Sequence, residues 1–260
     1  MTPLLSVRNL TLTQKHRKNW LDKAQIEHFG PIEFDLNRGE TLAIIGENGS
    51  GKSVLANLLV GAITPTSGTI KLNGEACVLG GHAEHNMKIR MIFQNSNESL
   101  NPGITVGSML QEPLRLNTTL NERERIQKVD DTLRQVGMLR DHKYFYRHML
   151  SDGQRQRVAL ARALIMEPEV IVADEPFAAL DPSVRSQTVN LIMKLQRDLG
   201  LGFIFISHNL GIVRHISDRM LVLQHGMVIE TGKTETVFNW PRSEYTQRLV
   251  ASHQSLMPNF

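Results

Sequence analysis

The segment Gly46-Glu47-Asn48-Gly49-Ser50-Gly51-Lys52-Ser53 constrains this chain more than any other, because it fits the pattern G-x-x-x-x-G-K-[ST] directly after an apolar run, Thr41-Leu42-Ala43-Ile44-Ile45. A buried strand, a glycine loop and a helix in that order dictate an α/β core. The glycines let backbone N–H groups curl round an anion without Cβ clashes. Lys52 adds a mobile positive charge, and Ser53 offers a hydroxyl to a Mg²⁺ ion. A helix starting here and running toward Val60 turns its positive dipole end to the same phosphates. All eight residues from Gly46 to Ser53 are therefore candidate nucleotide contacts. The bland alternative, a glycine-rich turn before a helix, arises by chance in roughly one chain of this length in a hundred.

Kinases, GTPases, helicases and transport ATPases all use such a loop, so the rest of the chain must separate them. Val170-Ile171-Val172-Ala173 reads as a fully buried parallel strand and ends in Asp174-Glu175-Pro176. Open α/β sheets place their ligands at the carboxyl ends of strands. Side chains alternate along a strand, which gives the two carboxylates different work. Asp174 is expected to face Mg²⁺ through water, and Glu175 to polarise an attacking water as general base.

Between these lies Leu150-Ser151-Asp152-Gly153-Gln154, followed by Arg155 to Leu164 with apolar residues at helical spacing. Ser151 and Gln154 have the form of a capping box. The first turn of that helix presents a hydroxyl, a glycine N–H and a positive dipole end, a second phosphate-binding surface in one chain. One nucleotide does not need both. The surface formed by Ser151, Gly153 and Gln154 is expected to close on a nucleotide held by another ATPase subunit.

With those residues together, the chain resembles the nucleotide-binding subunits of ATP-binding-cassette (ABC) transporters, over nearly its whole length. The resemblance identifies Gly46 to Ser53 as the Walker A loop, Gln94 as the glutamine loop, Leu150 to Gln154 as the signature, and Asp174 with Glu175 as the Walker B end. Ala179-Leu180-Asp181 matches the D-loop, and His208 in Ile206-Ser207-His208 the switch histidine. It implies ATP and Mg²⁺ as ligands, Glu175, His208 and Gln94 as catalytic groups, and Ser53, Gln94 and Asp174 around the metal. The implied fold is a P-loop cassette: a RecA-like α/β core with an antiparallel β-subdomain and an inserted α-helical subdomain. Within one ATPase domain, 1–94 is expected to hold the β-subdomain and Walker A core, 95–155 the helical subdomain, 156–235 the remaining core and 236–260 a carboxyl-terminal extension.

Composition agrees. The chain of 260 residues can bury a sizeable core, and its net charge of +3, without basic blocks, calls for no nucleic-acid partner. One cysteine, Cys77, excludes an internal disulfide framework. No run approaches the ∼20 apolar residues of a membrane span, and the amino terminus lacks the form of a signal peptide. Membrane contact would then come through partners, with the chain peripheral at the cytoplasmic face of the inner membrane.

Gln94-Asn-Ser-Asn-Glu-Ser-Leu-Asn-Pro102 and Pro241-Arg-Ser-Glu-Tyr-Thr-Gln-Arg-Leu-Val250 are similar to segments of the peptide, opine and nickel import ATPases, in particular those of Sap-type antimicrobial-peptide uptake systems. That branch implies a second cassette ATPase, two integral membrane permease subunits and, indirectly, a periplasmic solute-binding protein. Two features depart from the family pattern. Asp152 stands where glycine is usual, and no aromatic residue occupies Leu12 to Arg17 to stack on adenine, which leaves His16 or Trp20 as candidates. Other classes remain to be weighed: a soluble ABC ATPase of DNA repair or ribosomes, which would normally carry a coiled-coil insertion or second cassette, and a regulatory module without hydrolysis, which would lack Glu175 or His208.

Overall fold

The computed structural model describes residues 2–16, 25–77, 88–93, 99–177 and 180–254. The strands are β1 (Leu5–His16), β2 (Gln25–Leu36), β3 (Thr41–Ile45), β4 (Ser67–Leu72), β5 (Glu75–Ala76), β6 (Ile89–Ile92), β7 (Val170–Asp174), β8 (Gly202–Ile206), β9 (Arg219–Gln224) and β10 (Met227–Lys233). The α-helices are α1 (Lys52–Leu59), α2 (Val106–Asn117), α3 (Glu122–Gln135), α4 (Asp152–Leu164), α5 (Pro182–Leu199), α6 (Leu210–Ile216), α7 (Thr234–Asn239) and α8 (Glu244–Gln254). They form two compact units, one of Met1–Asn86 with Gly202–Phe260, the other of Met87–Leu201.

The first unit contains an antiparallel sheet in the order β2-β1-β4-β5. Leu5, Val7, Leu10 and Leu12 of β1 are buried together with Ile32, Phe34 and Leu36 of β2. The step from Val7 to Leu10 breaks strict alternation. A register shift there, with Asn9 at φ 48°, restores the apolar face inward. These two strands run 12 residues each.

In the same unit, β3 lies between β8 and β9, parallel to both, and β9 pairs antiparallel with β10. Every residue of β3 and β8 is buried, as continuous apolar runs in a parallel core require. Asp218 pins the entrance of β3: its carboxylate accepts the Thr41 N–H at 2.8 Å, and its own N–H donates to Thr41 O at 2.9 Å. The β9–β10 turn is His225-Gly226 with φ 47° and 75°, the two positive values of a type I′ hairpin.

In the second unit, β6 and β7 pair in parallel, Ile89 opposite Val170 through Ile92 opposite Ala173. Helix α3 begins at an Asn121–Glu124 capping box inside the charged segment expected to be helical. Helix α5 starts at Pro182, because proline suits a first helical turn. It stops at Gly200, which takes φ 64°. Helix α2 was not legible, since Gly107 and the internal Pro113 argue against it. Thr105 caps it, and burial of Val106, Met109, Leu110 and Leu114 along one face outweighs those two residues. Among the described residues, no helix is long and apolar enough to cross a membrane.

Candidate functional site

The phosphate loop of the first unit leaves the carboxyl end of β3 and enters α1 at Lys52. Two of its glycines are dictated by neighbours. A Cβ at Gly46 would lie 2.2 Å from Leu223 O, and one at Gly51, already at φ 102°, would lie 2.6 Å from Phe29 Cε2. The β9–β10 turn supports the loop from behind: Gly226 N–H donates to Ser50 O at 2.9 Å, and Gly30 N–H donates to Gly226 O at 2.8 Å.

Lys52 is 8 % exposed and curls back over the loop, its Nζ donating to Gly46 O at 2.7 Å and to Glu47 O at 2.8 Å. Glu47 N–H donates to Tyr245 Oη at 2.9 Å. Burial pushes the Tyr245 phenol up, beyond what its bond with Glu47 N–H offsets, so the acceptor is a neutral hydroxyl at neutral pH. Helix α1 opens without a side-chain cap, leaving first-turn N–H groups to an incoming anion. Among the described residues, Ser50 Oγ is buried without a hydrogen-bond partner. An uncapped helix start, an orphaned hydroxyl and a cradle with no room for a Cβ at Gly46 or Gly51 fit a nucleotide phosphate chain. Ser53 is exposed at the mouth, where its hydroxyl can take a metal ion.

Beside the loop, Leu12, Gln14, Glu27, Phe29, Val54 and neighbouring residues line a cavity of about 290 Å³. His208 follows β8, whose Ile206 lies opposite Ile44 of β3, and Ser207 N–H donates to Ile44 O at 3.3 Å. Loop and histidine thus leave the carboxyl ends of paired parallel strands. His208 is exposed.

The second unit brings together the signature and the paired carboxylates. Ser151 caps α4 by accepting the Gln154 N–H at 3.3 Å, while Gln154 Oε1 accepts the Ser151 N–H at 2.9 Å, the capping box expected from the sequence. The Ser151 hydroxyl keeps its own proton to donate. A Cβ at Gly153 would meet Val184 Cγ1 at 3.3 Å, so that position is snug against α5. The Asp152 carboxylate is 63 % exposed and pairs with Arg155 at 2.7 Å.

Asp174 ends β7 buried, and Glu175 follows at φ 45°, a left-handed conformation that costs a non-glycine residue about 1–2 kcal/mol. One link was not legible in the sequence. The buried Gln156 donates from Nε2 to Pro176 O at 3.1 Å, tying α4 to the turn that carries Glu175. Gln94, Ala179, Trp20 and the side chain of His16 lie outside the described residues.

A family model described as ABC transporter matches residues 29–178. The putrescine export system ATP-binding protein SapF of Escherichia coli K12 and the peptide transport system ATP-binding protein SapF of Salmonella typhimurium LT2 are each 46% identical over 250 residues, 96% of this chain and 93% of theirs. The dipeptide transport ATP-binding protein DppF of Haemophilus influenzae is 43% identical over 99% of this chain and 80% of its own. Among solved structures, cbiO1 of Clostridium perfringens, part of the ABC transporter complex cbiONQ, superposes with a TM-score of 0.76 at 31% identity over 92% of each chain. The ATP-binding cassette MJ0796, in a dimeric post-hydrolysis state bound to ADP and Pi, gives 0.73 at 26% identity over 88% of this chain and 98% of its own. A phosphate loop between β3 and α1, a capped signature helix and a strand ending in Asp174-Glu175 occur in a chain with these relatives, and the chain belongs to the ABC transporter family as an ATP-binding, ATP-hydrolysing cassette.

Proposed function

We propose that this cassette supplies ATP-hydrolysis energy to a peptide transporter, as a peripheral subunit on the cytoplasmic face of the inner membrane beneath two permease subunits and beside a second cassette. The phosphate cradle from Gly46 to Ser53, in a chain nearly half identical to SapF and DppF proteins, carries this reading. The loop N–H groups, Lys52 and the start of α1 bind the phosphates. Ser53, Asp174 and Gln94 would hold Mg²⁺, which when bound would neutralise phosphate charge during transfer. Glu175 takes the proton of the attacking water, and His208 holds water and γ-phosphate in line.

Ser151, Gly153 and Gln154 close on the nucleotide of the second cassette. Because two phosphate-binding surfaces in one chain serve different nucleotides, the working unit is a pair, and the dimeric relative MJ0796 supports this. The helical segment within 95–155 receives the permeases, and Gln94 at its entrance couples the nucleotide to them. A periplasmic solute-binding protein delivers cargo.

The cassette does not itself touch cargo, and its SapF relatives carry two cargo names, peptide and putrescine. The test is the complete transporter in proteoliposomes. Peptides added on the binding-protein side should raise ATP hydrolysis several-fold while putrescine does not. Stimulation by putrescine alone would replace the peptide reading with polyamine export, and no stimulation by either would reject both.

A further inference from the structure

We propose that Tyr245, on the carboxyl-terminal helix α8, is a positioning residue for ATP binding that locks the Gly46–Glu47 peptide plane and, through it, Lys52. This rests on the reading that Gly46 to Ser53 holds ATP. In a trans peptide the carbonyl oxygen and the N–H occupy opposite edges of one rigid plane. Here both edges are engaged. Gly46 O accepts from Lys52 Nζ at 2.7 Å, and Glu47 N–H donates to Tyr245 Oη at 2.9 Å. Turning this plane would break both bonds at once. The hydroxyl therefore fixes the direction of the carbonyl against which the Lys52 ammonium rests, although it lies 193 residues further along the chain than Lys52 (245 − 52).

The hydroxyl is itself held in place. Tyr245 is 7 % exposed and Thr246 fully buried. Glu230 of β10 accepts the Arg242 N–H at 2.9 Å and the Ser243 N–H at 3.1 Å, and Ser243 Oγ accepts the Thr246 N–H at 3.0 Å. The start of α8 is thus fastened to β10, whose hairpin turn also supports Ser50. A loop whose peptide planes are set before the phosphates arrive does not have to be ordered on binding. Loss of that order weakens ground state and transition state alike, so the signature is a raised KM with kcat preserved.

The experiment compares wild type, Tyr245→Phe, Glu47→Pro, the double variant and Lys52→Ala, with steady-state ATPase and binding of a non-hydrolysable ATP analogue. Tyr245→Phe keeps the ring and removes one acceptor, so KM and analogue Kd should rise about three- to tenfold, the equivalent of one hydrogen bond. The change in kcat should stay within about twofold, because the interaction lost is uniform across the reaction. Glu47→Pro deletes the N–H donor, so in that background Tyr245→Phe should add nothing further.

An unchanged KM in Tyr245→Phe, an equal rise in the Glu47→Pro background, or a fall in kcat alone would overturn the proposal. If Glu47→Pro does not fold, hydrogen exchange at the Glu47 amide replaces it: exchange should quicken in Tyr245→Phe, and unchanged exchange overturns the proposal. Lys52→Ala separates the two readings. If it binds the analogue like wild type, the loop is not the ATP site; if it loses binding while Tyr245→Phe does not, only the role of Tyr245 fails.

Discussion

In the proposed mechanism, Lys52 and Glu175 divide binding from chemistry at the scale of single residues. Lys52→Ala removes the ammonium that meets phosphate charge in the ground state and beyond, so ATP binding and turnover should fall together. Glu175→Gln keeps shape and hydrogen bonding but loses the base, so analogue binding should survive while single-turnover hydrolysis drops at least about a hundredfold, the scale of general-base catalysis. Normal turnover in Glu175→Gln would remove that residue from the base role. The left-handed backbone at Glu175 adds a second outcome. Glu175→Gly should unfold at higher denaturant than Glu175→Gln, by about 1 kcal/mol of relieved strain; equal midpoints would show that the conformation costs nothing. The proposed roles of these residues were read from spacing and strand context. Their partners were not: nothing local in the sequence says that Lys52 rests on Gly46 O and Glu47 O, that Gln156 reaches Pro176 O, or that Tyr245 meets Glu47.

Helix α4 is where one substitution tests an element. Asp152 departs from the family's glycine, yet its charge is spent on Arg155 in solvent. Asp152→Gly should therefore change ATPase by less than about twofold, the scale of an exposed ion pair. Arg155→Ala leaves the carboxylate unpaired beside the signature and should lower activity more than Asp152→Gly does; the reverse order would mean that Asp152 acts directly. Steady-state ATPase of the paired cassettes ranks the two. Helix α8 has its own pH dependence. Burial pushes the Glu230 carboxyl up, but the N–H groups of Arg242 and Ser243 with the Thr246 hydroxyl outweigh it and hold the pKa below the ordinary 4.5. A carboxyl lowered in the folded state contributes stability that is full above 4.5 and lost as pH falls through the lower folded value. Amide protection in α8, corrected for the intrinsic exchange rate at each pH, should thus fall on acidification in wild type and be flatter with pH in Glu230→Gln; parallel profiles would discard this account. Helix α4 was legible from its capping box, whereas α2 was not, because burial decides it against local propensity.

For the whole molecule, the two phosphate-binding surfaces make complementation the informative measurement. If the chain pairs with itself, mixing Ser151→Arg with Lys52→Ala subunits gives some dimers with one intact composite site, and ATPase should partly return. Absence of recovery in proven mixed dimers would mean that both sites must fire together or that sites are not shared, and full activity in a strictly monomeric sample would end the paired reading. The order of motifs along the chain made the α/β class and the cassette architecture legible. Long-range register was not, since the slip at Asn9 in β1 depends on how β2 and β4 meet it rather than on its own residues.

The floor beneath the phosphate loop has a consequence for synthesis. Residues 46–53 are made early, but the groups that support them come late: Leu223 O against Gly46, Gly226 N–H on Ser50 O, and the Tyr245 hydroxyl on Glu47 N–H. A polypeptide halted before residue 223 carries the complete loop sequence without Leu223, Gly226 or Tyr245 beneath it. Translation must pass residue 245 before all three supports are in place, so products terminated earlier should neither sequester nucleotide nor compete with finished subunits for it.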